Sequence, residues 1–151
     1  MRRSGKILAA AVGVLAAAQM VRFPRVNPPV PAGALAAPPE VEHALRQACY
    51  DCHSNETRWP WYSAIAPVSW VIHHDVDEGR RRLNFSSWSD YADDPGTEAH
   101  KLEEIARFVT TGDMAPWYYR WLHPDAHLGA DERDAVVGWT ERTIAALPPS
   151  S

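Results

Sequence analysis

The chain has 151 residues, 46% of them hydrophobic and 10% aromatic, which is enough for one domain with one core. Residues 22–151 keep 12 of the 15 Lys and Arg and all 19 Asp and Glu, a net charge of −7. That balance argues against nucleic acid or an anionic membrane surface as the main partner. It either favours a partner protein with a basic docking patch or simply keeps the protein soluble.

The first stretch reads as an export segment. Arg2, Arg3 and Lys6 form a basic start, and Ile7 to Val21 carries no charge. At 15 residues this run falls short of the ~20 that span a bilayer, and Ala16-Ala17-Ala18 offers a small-residue cleavage site. Residues 1–21 are therefore expected to be a removable signal or a membrane anchor, which places the rest of the chain outside the cytoplasm. Residues 22–38 contain Pro24, Pro28, Pro29, Pro31 and Pro38 and are expected to be an extended tether, because proline lacks an N–H and disfavours helix before it.

From Pro39 the spacing becomes helical. Val41, Ala44, Leu45 and Ala48 fall at i, i+3, i+4 and i+7, with Glu40 suited to the positive helix end. The helix leads into Cys49-Tyr50-Asp51-Cys52-His53, a C-x-x-C-H segment holding the only two cysteines of the chain. This is the attachment signature of c-type haem. Each thiol adds across one vinyl group of a porphyrin, and the adjacent imidazole of His53 takes the proximal position on iron. A Cys49–Cys52 redox disulfide would normally sit in a strand-rich domain, and almost no strand pattern is present. Zinc would need two further ligands, which His73 and His74 or His123 and His127 could supply, and no second pair at finger spacing follows.

Beyond His53, the cluster Arg58-Trp59-Pro60-Trp61-Tyr62 offers Trp59 and Trp61 as walls for a porphyrin edge and Arg58 as a propionate partner, or core and surface anchors. Pro67 opens a second helix whose face is expected to comprise Val68, Val71, Ile72 and Val76. His73 and His74, among Asp75, Asp77 and Glu78, are expected on a solvated side. The segment from Gly79 to Trp88 reads as irregular and Asp93-Asp94-Pro95-Gly96 as a turn. A third helix follows, with Thr97 near its N-cap, apolar residues Leu102, Ile105, Ala106 and Val109, and Gly112 past its end. Met114 in the next loop is the only methionine outside the export segment, so it is either the one thioether available to iron or a gap-filling core residue. Residues 121–128 read as a loop, since Pro124 spoils a helix between His123 and His127. A last helix runs from about Ala130 to Leu147, and residues 148–151 form a tail.

Several of these segments together resemble a family of small bacterial haem-binding, cytochrome c-like monohaem domains. The match is carried by Asn27-Pro28-Pro29, by the run from Cys49 to Tyr62, by Ile65-Ala66-Pro67 and Gly79-Arg80, and by Leu83-Asn84-Phe85-Ser86, Met114-Ala115-Pro116 and Trp121-Leu122-His123-Pro124. The resemblance implies one covalent haem c on Cys49 and Cys52, proximal His53 and distal Met114; were Met114 not the ligand, His73, His74 or His100 would be next in line. By analogy with class I cytochromes, it also implies that Pro67 supplies the carbonyl that accepts from His53. The chain departs from the pattern in having bulky Trp117 directly after Met-Ala-Pro.

The expected fold is all-α and class I cytochrome c-like, three to four helices around one haem over residues 39–147, preceded by a hydrophobic N-terminal helix. The expected function is one-electron transfer by a membrane-associated periplasmic carrier rather than an enzyme, because two protein ligands close the iron to substrate. A haem-based sensor or a peroxidase-like enzyme would instead need a displaceable sixth ligand. In relatives of this kind the hydrophobic N-terminus looks like a retained anchor on the periplasmic side of the inner membrane. A cleaved, soluble periplasmic form is the alternative.

Overall fold

The computed structural model describes residues 2–149, and among them there are helices and no strands. Eight α-helices follow one another: α1 (Arg2–Ala18), α2 (Pro39–Ala48), α3 (Tyr50–His53), α4 (Val68–Arg82), α5 (Ser89–Ala92), α6 (Pro95–Thr111), α7 (Trp117–Leu122) and α8 (Ala130–Ala146). The fold is all-α as expected, with more helices than the three to four anticipated, because short turns of helix also fill stretches that read as loops.

The core sits where α2, α6 and α8 meet. Val41 and Leu45 of α2, Leu102, Ile105 and Val109 of α6, and Val136 and Trp139 of α8 interlock, with Phe85 and Trp88 closing the end. Burying a side chain such as Leu45 or Leu102 stabilises by about 1.5–3 kcal/mol, so this cluster dominates the energetics.

Helix ends explain several differences from the sequence reading. The turn at Asp93–Gly96 is the start of α6: Asp94 is the cap, its carboxylate accepting from the Thr97 N–H at 2.8 Å, and Pro95 occupies the first turn. Gly112, at φ 71°, ends α6 in the left-handed conformation. In α4 the expected apolar face is buried only at Val76. Ser69, His73, Val76 and Gly79 face inward, while Val68 and Val71 are exposed, and the helix continues through the arginines to Arg82.

α1 is a helix whose apolar side chains, from Ile7 to Leu15, are exposed. Among the described residues no helix is long and apolar enough to cross a membrane. The proline-rich segment is extended but not a free tether. Its carbonyls and Asn27 pair with the domain: the Asn55 amide donates to Pro29 O at 2.9 Å, Asn27 donates to Thr57 O at 2.9 Å, and Leu35 N–H donates to Phe85 O at 2.8 Å. Prolines lack donors, so the segment pairs through a proline carbonyl, the Asn27 amide and the N–H of a non-proline residue.

Candidate functional site

α2 ends at Cys49, and α3 is one helical turn that folds the C-x-x-C-H segment back on itself. His53 N–H and Cys52 N–H both donate to Cys49 O, at 2.9 and 3.1 Å. Both thiols are free and half-buried, and burial pushes each of them up to about 12. They are therefore neutral thiols at ordinary pH.

Gly79 fixes what lies on the other side of His53. A Cβ at this position would stand 2.4 Å from the Cys52 carbonyl oxygen, so only glycine lets α4 pass this close to the attachment turn. That approach brings two backbone carbonyls, Gly79 O and Leu83 O, each to 3.1 Å from His53 Nδ1. Carbonyls only accept, so Nδ1 carries the proton and Nε2 keeps its lone pair. Burial holds the imidazole below its ordinary pKa despite those two acceptors, which favours the neutral, ligating form. Pro67 does not supply this carbonyl. It stands exposed at the opposite end of α4, and the acceptors come from the last turn of that helix.

Cys49, Cys52, His53 and Met114 line one cavity of about 320 Å³, with Leu83, Phe85, Ile105, Phe108, Val109 and Pro116 as its apolar walls. Asp75, Glu78, Glu104, Arg82 and Arg107 add charged groups, of which Arg82 and Arg107 are exposed. The volume falls in the range of clefts that bury a mid-sized organic ligand. The donor set also fits a c-type haem: two thiols three positions apart, an imidazole with its tautomer fixed, and a thioether.

Other residues expected at the site lie elsewhere. Arg58 turns outward and its guanidinium pairs with Asp51, with Nε–Oδ1 and Nη2–Oδ2 both 3.2 Å. Trp59 stacks on His73 with ring centroids 4.8 Å apart and donates its indole N–H to Asn27. Trp61 is 76% exposed. None of the three lines the cavity. His73, expected on a solvated side, is buried between Phe23 and Trp59, while His74 and His100 are exposed, and none of these imidazoles lines the cavity either. The sequence reading missed Gly79, Leu83, Arg107 and Phe108. Gly79 and Leu83 lie in segments that carry the family resemblance, and nothing in the sequence marked Arg107 or Phe108.

A family model described as a haem-binding domain matches residues 13–142. The chain belongs to the haem-binding domain family. The match runs from within α1 into α8 and so takes in all four cavity donors. No curated protein and no solved structure matches the chain.

Proposed function

We propose that this haem-binding domain carries one haem c covalently and serves as a one-electron carrier with a class I cytochrome c-like arrangement. On this reading Cys49 and Cys52 form the thioethers, His53 Nε2 is the proximal ligand and Met114 Sδ the distal one. The observation that carries the reading is the convergence of those four donors on one cavity, together with the two carbonyls that fix the proton on His53 Nδ1. Haem supplies a one-electron redox couple. The chain's own residues do the rest: Gly79 and Leu83 orient the imidazole and raise its basicity, while Phe85, Ile105, Phe108 and Val109 exclude water from the site.

If His53 and Met114 both held the iron, no position would stay open for substrate, which supports a carrier rather than an enzyme. The acidic exported part supports a redox partner with a basic docking patch, and no role with nucleic acid. The exposed apolar residues of α1 support attachment on the periplasmic side of a bacterial inner membrane. Carbon monoxide titration of the reduced protein tests the carrier reading. Slow or absent binding is expected, and rapid stoichiometric binding would overturn it.

A further inference from the structure

The exposed large hydrophobic side chains of the folded domain are not scattered. Among the described residues from Pro39 onward, all of them fall in two stretches, 61–71 and 117–122. Trp61, Trp117 and Trp121 are 76%, 73% and 79% exposed, and Ile65, Val68 and Val71 lie between 45% and 49%. The two stretches adjoin. The Tyr62 hydroxyl meets His123 Nε2 at 3.2 Å just past α7, and the Tyr118 hydroxyl donates to Asp75 of α4 at 2.8 Å. Residues 61–71 contain no charged side chain, and 117–122 contain only Arg120, which turns back to donate to Gly112 O at 3.0 Å. In a chain whose residues 22–151 carry a net charge of −7, these two stretches hold no acidic side chain, and the Asp75 carboxylate at their border accepts from Tyr118.

α1 leads into the middle of the same face. The Gln19 side-chain amide pairs with both backbone groups of Ala66, donating to its carbonyl and accepting from its N–H, each at 3.1 Å. The Trp70 indole N–H donates to Val21 O at 3.3 Å. The exposed apolar surface of α1 is therefore continuous with that of the domain. A bilayer covers both at once, and Trp and Tyr are the side chains that favour its interfacial layer. A solvated surface would not gather so many large apolar groups in one place.

We infer that the face bearing Trp61, Ile65, Val68, Val71, Trp117 and Trp121 sits in the interfacial layer of a lipid bilayer, beside the point where α1 enters it. The inference rests on the reading that α1 attaches the protein to a membrane, and it adds a fixed orientation of the haem domain against the lipid. Because the contact is apolar, it requires no anionic lipid and resists salt.

The test uses the full-length haem-loaded protein in zwitterionic phosphatidylcholine nanodiscs that carry a diazirine at the head-group boundary, followed by peptide mapping after irradiation. Labelling of α1 and of the 61–71 and 117–122 peptides, severalfold above that of α6 and α8 peptides, is expected. A Trp61→Ser, Val68→Ser, Trp121→Ser variant is expected to lose the label in the two stretches while keeping it in α1 and keeping the haem spectrum. Labelling of α1 with the two stretches at the level of α8 would overturn the inference, leave membrane attachment standing and turn the face over to a protein partner. Absence of label from α1 as well would overturn the attachment reading itself.

Discussion

The Tyr119 hydroxyl donates to Asp51 Oδ2 at 2.6 Å, joining residues 68 positions apart. Asp51 lies between the two cysteines, and Tyr119 lies on α7, which begins three residues after Met114. The bond therefore ties the segment that bears His53 to the segment that bears Met114. Burial and the Asp51 hydrogen bond both push the Tyr119 phenol up, so it stays a donor at any ordinary pH. Tyr119→Phe keeps the ring stacked on His123, where the centroids are 4.0 Å apart, and deletes the bond.

Tyr119→Phe is expected to cost about 1–2 kcal/mol in urea unfolding, at the lower end for a bond to a charged group because Arg58 still pairs with Asp51. Covalent haem is expected to remain, while the sulfur-to-iron charge-transfer band weakens and carbon monoxide gains access. A variant with an unaltered band would show that the Met114 loop holds itself in place.

Gly79→Ala is the most damaging small substitution on this account. The added methyl meets the Cys52 carbonyl at 2.4 Å, and the two nearest atoms are backbone, so α4 must move away and take the two acceptors of His53 Nδ1 with it. A loss of about 1–3 kcal/mol is expected, with reduced haem incorporation. Gly138→Ala in α8 is the control, since its methyl meets only the end of the flexible Arg142 side chain at 3.1 Å. Calorimetry of the two variants side by side checks the ranking.

His73 gives the protein an acid-sensitive step. Burial between Phe23 and Trp59 lowers its pKa, and its Nε2 has no hydrogen-bond partner, with Asp77 opposing and Arg25 reinforcing the shift. The unfolded chain then binds a proton that the folded chain refuses. Stability from this residue is complete above the ordinary histidine pKa and is lost as pH falls below it. His73→Phe is expected to flatten the decline in melting temperature between neutral and mildly acid pH. An unchanged slope would assign the acid sensitivity to other groups.

What was legible in the sequence was local. α2 and the C-x-x-C-H turn depend on spacings of three and four residues, and the apolar periods of α2 and α6 match their buried faces. The acceptors of His53 are 26 and 30 residues away and depend on a close approach of α4 that no spacing encodes. The face of α4 was misread because Val68 and Val71 repeat with the helical period yet point outward, and periodicity reports an apolar surface without saying what covers it. α7 escaped notice because its aromatic run, bounded by Pro116 and Pro124, lacks a helical stripe over so few residues. Arg58, Trp59 and Trp61 stood next to His53 in sequence, but the chain turns away after Ser54, and proximity along the chain did not become proximity to the cavity.

The central claim is that Cys49 and Cys52 would hold haem covalently, with His53 and Met114 as the residues that would ligate its iron. The most direct measurement is to express the full chain with a periplasmic haem-attachment system, denature it, and read the mass and the reduced-pyridine spectrum for wild type, Cys49→Ala, Cys52→Ala and Met114→Ala. The account predicts that wild type keeps its haem through denaturation with two thioethers, that each cysteine variant retains at most one, and that Met114→Ala keeps covalent haem but loses the sulfur-to-iron band and falls in potential. Release of haem from denatured wild type, or a Met114→Ala spectrum identical to wild type, would contradict it.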